Sequence, residues 1–272
     1  MRVSRSGYYE WKKTREERER RAGDYAERVR RVFEESGGVY GADRICGTLR
    51  SRGYGASFRK VRECMSSQGL RSIHMRRRQR SLTNSSASRG EGYANLVRGM
   101  EIDRPFQVIS SDISYIRTDE GFEYLCQIRD VASGMILAAG MSDHMKAELV
   151  LDTIRKVVLS WDIPEGCIFH SDRGSQYASE KVMKYLGKRR IRQSFSRVGT
   201  PGDNSWSESF FSVLKKESVH WVHFHTREEA RQAMFGYIEG FYNTKRVQKR
   251  LGYLSPSQWL KEWYRRNSVS VA

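Results

Sequence analysis

The hydrophobic pattern changes character twice along the chain, and each change marks a different kind of element. From Val3 to about Glu35 apolar positions are sparse and charge is dense, as in Arg15-Glu-Glu-Arg-Glu-Arg-Arg21, which predicts a solvated helix laced with charge pairs. Tyr40 to Arg50 then carries apolar residues at helical spacing. The turn Arg52-Gly-Tyr-Gly55 follows, and a short helix from about Ser57 to Ser67 aligns Phe58, Val61 and Met65 on one stripe. Two short helices about a glycine-bearing turn predict a helix-turn-helix over 39–72, with Arg59, Lys60 and Arg62 displayed for DNA; a plain helical hairpin has the same pattern. The basic segment 1–38 either connects or adds DNA contact.

Residues 73–104 lose the apolar period and read as a basic linker. Within it Arg76, Arg77 and Arg78 are suited to sequence-blind contact with phosphates. At Pro105 the pattern turns to strands. Phe106 to Ile116, Phe122 to Val131 and Met135 to Met141 are rich in β-branched and aromatic residues and are separated by Glu120-Gly121 and Ser133-Gly134, which predicts an antiparallel three-stranded meander. Lys146 to Trp161 is an amphipathic helix, Cys167 to His170 a short strand, the stretch from Ser179 a helix, and Ile191 to Phe195 a fifth strand. Met234, Ile238 and Phe241 continue one helical face after a capping box at Thr226-Arg-Glu-Glu229, and Trp259 and Trp263 are expected to cover the sheet. The order predicts an α/β fold: a ribonuclease-H-like core over 105–265 with a five-stranded mixed sheet and C-terminal helices, preceded by a small all-α region.

Charge narrows the partners. The 272 residues carry a net charge of +17, unevenly spread: 23 Lys/Arg against 10 Asp/Glu up to Gly90, then 26 against 22. A polyanion grip followed by a more balanced catalytic body is the expectation. Cys46, Cys64, Cys126 and Cys167 are scattered without metal-site spacing, and no stretch approaches a membrane span, so a cytosolic protein without zinc or disulfides is expected.

The candidate chemistry lies in three acids: Asp112 in the first strand, Asp172 just past the fourth, and Glu208 in the helix after the fifth strand, with 35 residues between it and Asp172. Carboxylates converging from separate elements suit a hard divalent cation. Each has a structural alternative, as a strand-end residue, a turn-initiating Asp before glycine, and the last residue of the capping box Ser205-Trp-Ser-Glu208. At about 100° per residue, Glu208 and Lys215 fall together, opposite Trp206, Phe210 and Val213. Lys215 is thus a phosphate-contact candidate or a solvated lysine. His170 either reaches the site or packs at its strand end, Asp130 is expected to be structural, and Arg197 to Asp203 is either a loop over bound DNA or a connector.

Ser111-Asp112-Ile-Ser-Tyr-Ile116, His170-Ser-Asp-Arg-Gly-Ser-Gln-Tyr177, Asp203 to Lys215 and Tyr242 to Tyr253 resemble, in that order, the OrfB-type transposases of bacterial insertion sequences, relatives of retroviral integrase. Val3 to Tyr9 and Tyr40 to Arg44 extend the resemblance to nearly the whole chain; Gln248 stands where that family usually carries His. The resemblance implies a catalytic triad of Asp112, Asp172 and Glu208 holding two Mg²⁺ (or Mn²⁺) ions, element ends and target as double-stranded DNA substrates, a homo-multimer assembled on DNA, and a nucleoid-associated setting. It further implies a possible fusion to, or partnership with, an upstream-frame product. Two other functions fit parts of the pattern: a hydrolytic nuclease of the same fold, and a catalytically silent DNA-binding repressor.

Overall fold

Charge pairs decorate the first helix, but burial holds it. In α1 (Arg5–Glu35) the pairs Arg15–Glu19 and Arg21–Glu17 are exposed and screened by water, so they contribute little. Its C-terminal half buries Tyr25, Val29 and Val32. The computed structural model describes residues 4–75, 94–197 and 204–268. The chain forms two compact units, one of residues 1–78 with Val247–Tyr253, the other of Gln79–Arg246 with Leu254–Ala272.

In the first unit α2 (Ala42–Ser51) buries Ile45 and Leu49, and Gly53 supplies the positive φ of the turn before α3 (Phe58–Ser67). Ser57 caps α3 by accepting the Lys60 N–H. Val61 and Met65 are buried, but Phe58, expected on their stripe, stands at the first helical position and remains 51% exposed. The Gln68 amide donates to the Ala26 carbonyl and so ties α3 to α1. Far downstream, Val247 donates its N–H to the Tyr40 hydroxyl, and the Tyr253 hydroxyl donates to Asp43 Oδ1. The Tyr253 ring lies 2.2 Å from where a Cβ on Gly47 would stand, so only glycine fits there.

In the second unit β1 (Val108–Thr118), β2 (Gly121–Asp130) and β3 (Ile136–Ser142) form the expected antiparallel meander, and β4 (Ile168–Ser171) and β5 (Arg192–Phe195) add in parallel, giving the order β3-β2-β1-β4-β5. One face of the sheet packs Ile109, Cys126 and Ile128 against Val150, Ile154 and Val157 of α4 (Ala147–Ser160) and Val182 and Leu186 of α5 (Glu180–Lys188). The other packs Ile116, Leu125 and Ile136 against Phe210, Phe211 and Leu214 of α6 (Ser205–Glu217) and Met234 of α7 (Arg227–Phe235). A mixed sheet between two helical layers is the ribonuclease-H-like arrangement that the element order predicts.

One element departs from its pattern. The expected continuation of α7 becomes a π-helix, Gly236–Tyr242, with Asn243 N–H donating to the Ile238 carbonyl. The wider turn lets both Ile238 and Tyr242 reach the core, and it aims Asn243 at β3. The capping box at Thr226 forms as expected. The four cysteines are free thiols, and no helix among the described residues is long and apolar enough to cross a membrane.

Candidate active site

Parallel pairing of β1 with β4 sets Ser110 beside His170, so two residues further on Asp112 and Asp172 leave neighbouring strands at one level. Asp112 lies within β1, half-buried, and accepts the Ile113 N–H at 2.8 Å. Asp172 directly follows β4 and accepts the Gly174 N–H at 3.0 Å. A Cβ on Gly174 would sit 2.8 Å from the Gln176 side-chain oxygen and 3.1 Å from the Asp172 carboxylate, so a larger residue there would make Gln176 swing aside and nudge the Asp172 carboxylate.

The third acid is brought in by the first turn of α6. Asn204, its N-cap, donates to the Ser111 carbonyl at 3.2 Å; Ser207 donates to Ser110 Oγ at 3.2 Å; Arg129 donates to the Trp206 carbonyl at 2.6 Å. These bonds press the turn onto β1 and β2, and Glu208 emerges exposed beside them. The capping box expected at Ser205 does not form. Asn204 takes the cap, Ser205 becomes the first helical residue, and Glu208 falls one position past the reach of such a bond.

The electrostatics single out Asp112 as the acid that senses the other two. Burial, and then the negative charges of Asp172 and Glu208, push the Asp112 carboxyl from its ordinary 3.8 up to about 7, against the pull of Lys215. Burial also raises Asp172 and Glu208. Asp112 therefore feels both other acids and is the hub of the set. The three do not have oxygens all within 4.8 Å of one another, as one ion bound by all of them would need.

Lys215 is half-buried, its Nζ 5.2 Å from the centre of the Tyr115 ring, and burial lowers its pKa while Asp112 opposes the shift. His170 is fully buried with Nδ1 2.9 Å from Ser194 Oγ and its ring edge-on to Trp206, a packed strand-end histidine. Asp130 is structural: it accepts the N–H groups of Phe106 and Ser133. Arg59 pairs with Glu63 on its own helix, Lys60 lies over the Tyr25 ring, and Arg62 is exposed. Arg76, Arg77 and Arg78, and the loop residues 198–203, lie outside the described residues.

The periodic reading missed three polar neighbours of the site. Gln127 sits directly across from Asp112 in the β1–β2 ladder, fully buried, with no hydrogen-bond partner for its amide among the described residues. Tyr177 brings its hydroxyl to 2.9 Å from Ser111 Oγ, and Asn204, at the N-cap position of α6 but without a side-chain capping bond, gives its amide to the Ser111 carbonyl. A glutamine inside the apolar run Leu125-Cys126-Gln127-Ile128 was the available signal for the first.

Residues 102–201 match the integrase core domain family, residues 208–262 match a second integrase core domain model, and residues 19–79 match an HTH-like domain. The chain is 36% identical over 237 residues to the transposase for insertion sequence element IS904 of Lactococcus lactis subsp. lactis, covering 87% of this chain and 93% of that one. It is 34% identical over 266 residues to transposase InsF for insertion sequence IS3A of Escherichia coli K12, covering 95% and 91%. Among solved structures, a chain of the simian T-cell lymphotropic virus intasome in complex with PP2A regulatory subunit B56 gamma aligns over 85% of this chain and 74% of its own, at 14% identity and a TM-score of 0.49.

Proposed function

The chain belongs to the insertion-sequence transposases that carry an integrase core and an HTH-like domain, and from that premise we propose that Asp112, Asp172 and Glu208 are its catalytic triad. It is a DNA transposase of the DDE type, an enzyme of strand cleavage and strand transfer. The observation that supports the residue assignment is geometric: β1–β4 pairing brings Asp112 level with Asp172, and the turn of α6 docked on β1 brings in Glu208, so that burial and the other two acids raise the Asp112 carboxyl.

The donor set fits divalent metal: oxygen ligands only, clustered negative charge, and Lys215 as the cation that acts on Asp112. Mg²⁺ or Mn²⁺, two ions in this reading, supplies activation of the attacking oxygen and neutralisation of charge at the leaving one. The chain supplies the geometry. Asp112, Asp172 and Glu208 would hold the metal: Asp112 from within β1, Asp172 fixed by the Gly174 amide, and Glu208 positioned by the docked turn of α6. Lys215 bears on the phosphate next to this cluster. Attack by water on the phosphodiester breaks its P–O3′ bond and leaves a 3′-hydroxyl and a 5′-phosphate; attack by that hydroxyl on a second phosphodiester forms a new P–O bond while the target strand's own 3′-oxygen leaves as a hydroxyl, so no covalent bond to the protein forms.

The helix-turn-helix-like unit binds the element ends, with Arg59 and Arg62 on its exposed side and Lys60, Arg76, Arg77 and Arg78 adding charge. Two ends in one complex call for a homo-multimer on DNA, and an upstream-frame product is the candidate partner. The test is Glu208→Gln with labelled end-containing DNA. The variant is expected to fold and bind DNA yet neither cut nor join it; unchanged cleavage refutes the assignment. With the wild-type chain, cut ends that never join would reduce the reading to a hydrolytic nuclease.

A further inference from the structure

A second set of metal-ligating side chains lies outside the triad, where the end of β1 meets the segment that follows α6. Thr118 and Phe224 form an isolated parallel bridge, and the Asp119 N–H donates to the Phe224 carbonyl at 3.2 Å. Phe224 is buried at 3% exposure and anchors the segment. On extended backbone its two neighbours project the other way, so His223 and His225 emerge together beside Asp119. His223 Nε2 is 3.0 Å from one Asp119 oxygen and His225 Nδ1 is 2.9 Å from the other. All three donor atoms lie within 4.8 Å of one another, and among the described residues no other group of three or more His, Cys, Asp or Glu achieves this.

We propose that Asp119, His223 and His225 bind a transition-metal ion that clips the end of β1 to the segment after α6. Two imidazole nitrogens and a carboxylate oxygen select zinc, cobalt or nickel over magnesium, whereas the all-oxygen triad has the reverse preference. Tetrahedral bonds of ~2.0–2.1 Å place donor atoms roughly 3.3 Å apart. The two His–Asp spacings, 3.0 and 2.9 Å, need to open by only a few tenths of an ångström, and the two imidazole nitrogens already lie within 4.8 Å of each other. In the metal-free chain two imidazoles bind one carboxylate through hydrogen bonds, and an ion replaces the bridging protons without moving the backbone. That backbone is already held, because Glu229 accepts the N–H groups of His225 and Thr226. Three protein donors on an exposed surface leave the remaining position to water or to a side chain from outside.

The location gives the site its consequence. β1 carries Asp112, and the segment ending at His225 extends α6, which carries Glu208. The ion thus pins the far ends of two elements that bear the triad acids, and it acts as a structural clip rather than a second reaction centre.

The test uses the full chain in excess Mg²⁺, with Zn²⁺ followed by calorimetry and Co²⁺ by its visible absorption. One equivalent of either ion is expected to bind the wild type and the Asp112→Asn variant alike. It is expected to be lost from the His223→Ala/His225→Ala double variant, with circular dichroism unchanged because both side chains are exposed. Asp119→Asn should weaken the binding and alter the Co²⁺ spectrum. The proposal is overturned by equal binding in the double variant, by loss of binding in Asp112→Asn, or by wild-type affinity weaker than about 1 mM.

Discussion

The side-chain amide of Asn204 donates to the carbonyl oxygen of Ser111 across 93 residues of chain, at 3.2 Å and out of contact with water. Ser111 directly precedes Asp112, and Asn204 lies one helical turn before Glu208, so this bond sets the spacing between a strand acid and the helix acid. Asn204→Ala removes it and leaves a buried carbonyl without that donor, at a cost of about 1–2 kcal/mol. The larger effect falls on chemistry: end cleavage drops while affinity for end DNA stays level. Thermal melts, gel shifts and cleavage assays on one preparation check this, and a parallel loss of DNA affinity would contradict it.

Asp112 gives the site a pH signature. Its folded value of about 7 against an ordinary 3.8 means that the metal-free folded chain holds this proton more tightly than the unfolded one. Its stabilising contribution is complete below about pH 4 and is lost as pH rises through about 7. Without metal, Asp112→Asn is therefore expected to melt above the wild type at pH 8, with the gap closing toward pH 5. Metal must displace that proton, so apparent Mn²⁺ affinity of the wild type falls about tenfold per pH unit below about pH 7. A pH-independent affinity from pH 5 to 8 would remove the coupling.

Much of the fold was legible from periodicity, because the β1–β2–β3 meander and α4 each bury a face whose apolar residues recur at their own period. The three proposed triad acids stood out in the sequence because they fall at a strand, a strand end and a helix start, each flagged by a short motif. Three features had no periodic trace. The π-helix at Gly236–Tyr242 arises from packing rather than from a repeat, the cap at Asn204 depends on where β1 offers a carbonyl, and Asp119 meets His223 only through the bridge of Thr118 to Phe224.

Glu217 and Arg246 form a doubly bonded ion pair in the interior, at 2.8 and 2.7 Å, with the Tyr237 hydroxyl donating to the same carboxylate. Burial of both partners makes removal of one far worse than removal of two. Arg246→Met should destabilise the chain by about 3–5 kcal/mol, since Glu217 is left charged in an apolar setting. Adding Glu217→Gln is expected to recover much of that loss. Denaturant melts of the single and double variants measure it, and additive losses would exclude the pairing as the cause.

Asn243 closes the outer edge of the sheet. Its side chain accepts the Ile136 N–H and donates to the Ile136 carbonyl, each at 2.9 Å, and so imitates the strand that β3 lacks on that side. The π-helix is what makes this possible, since its extra residue per turn brings Asn243 in line with Ile136 while Ile238 and Tyr242 stay in the core. Asn243→Asp keeps the acceptor for the Ile136 N–H but sets a carboxylate oxygen against the carbonyl, whereas Asn243→Ala loses both bonds. Both variants are expected to lose about 2–3 kcal/mol of stability. Asp should be the worse at pH 7 and should improve on acidification, as its protonated form regains a donor. Amide exchange supplies the local readout: the Ile136 N–H should lose protection in the alanine variant. Protection equal to that of the wild type would mean that the sheet edge is held by packing alone.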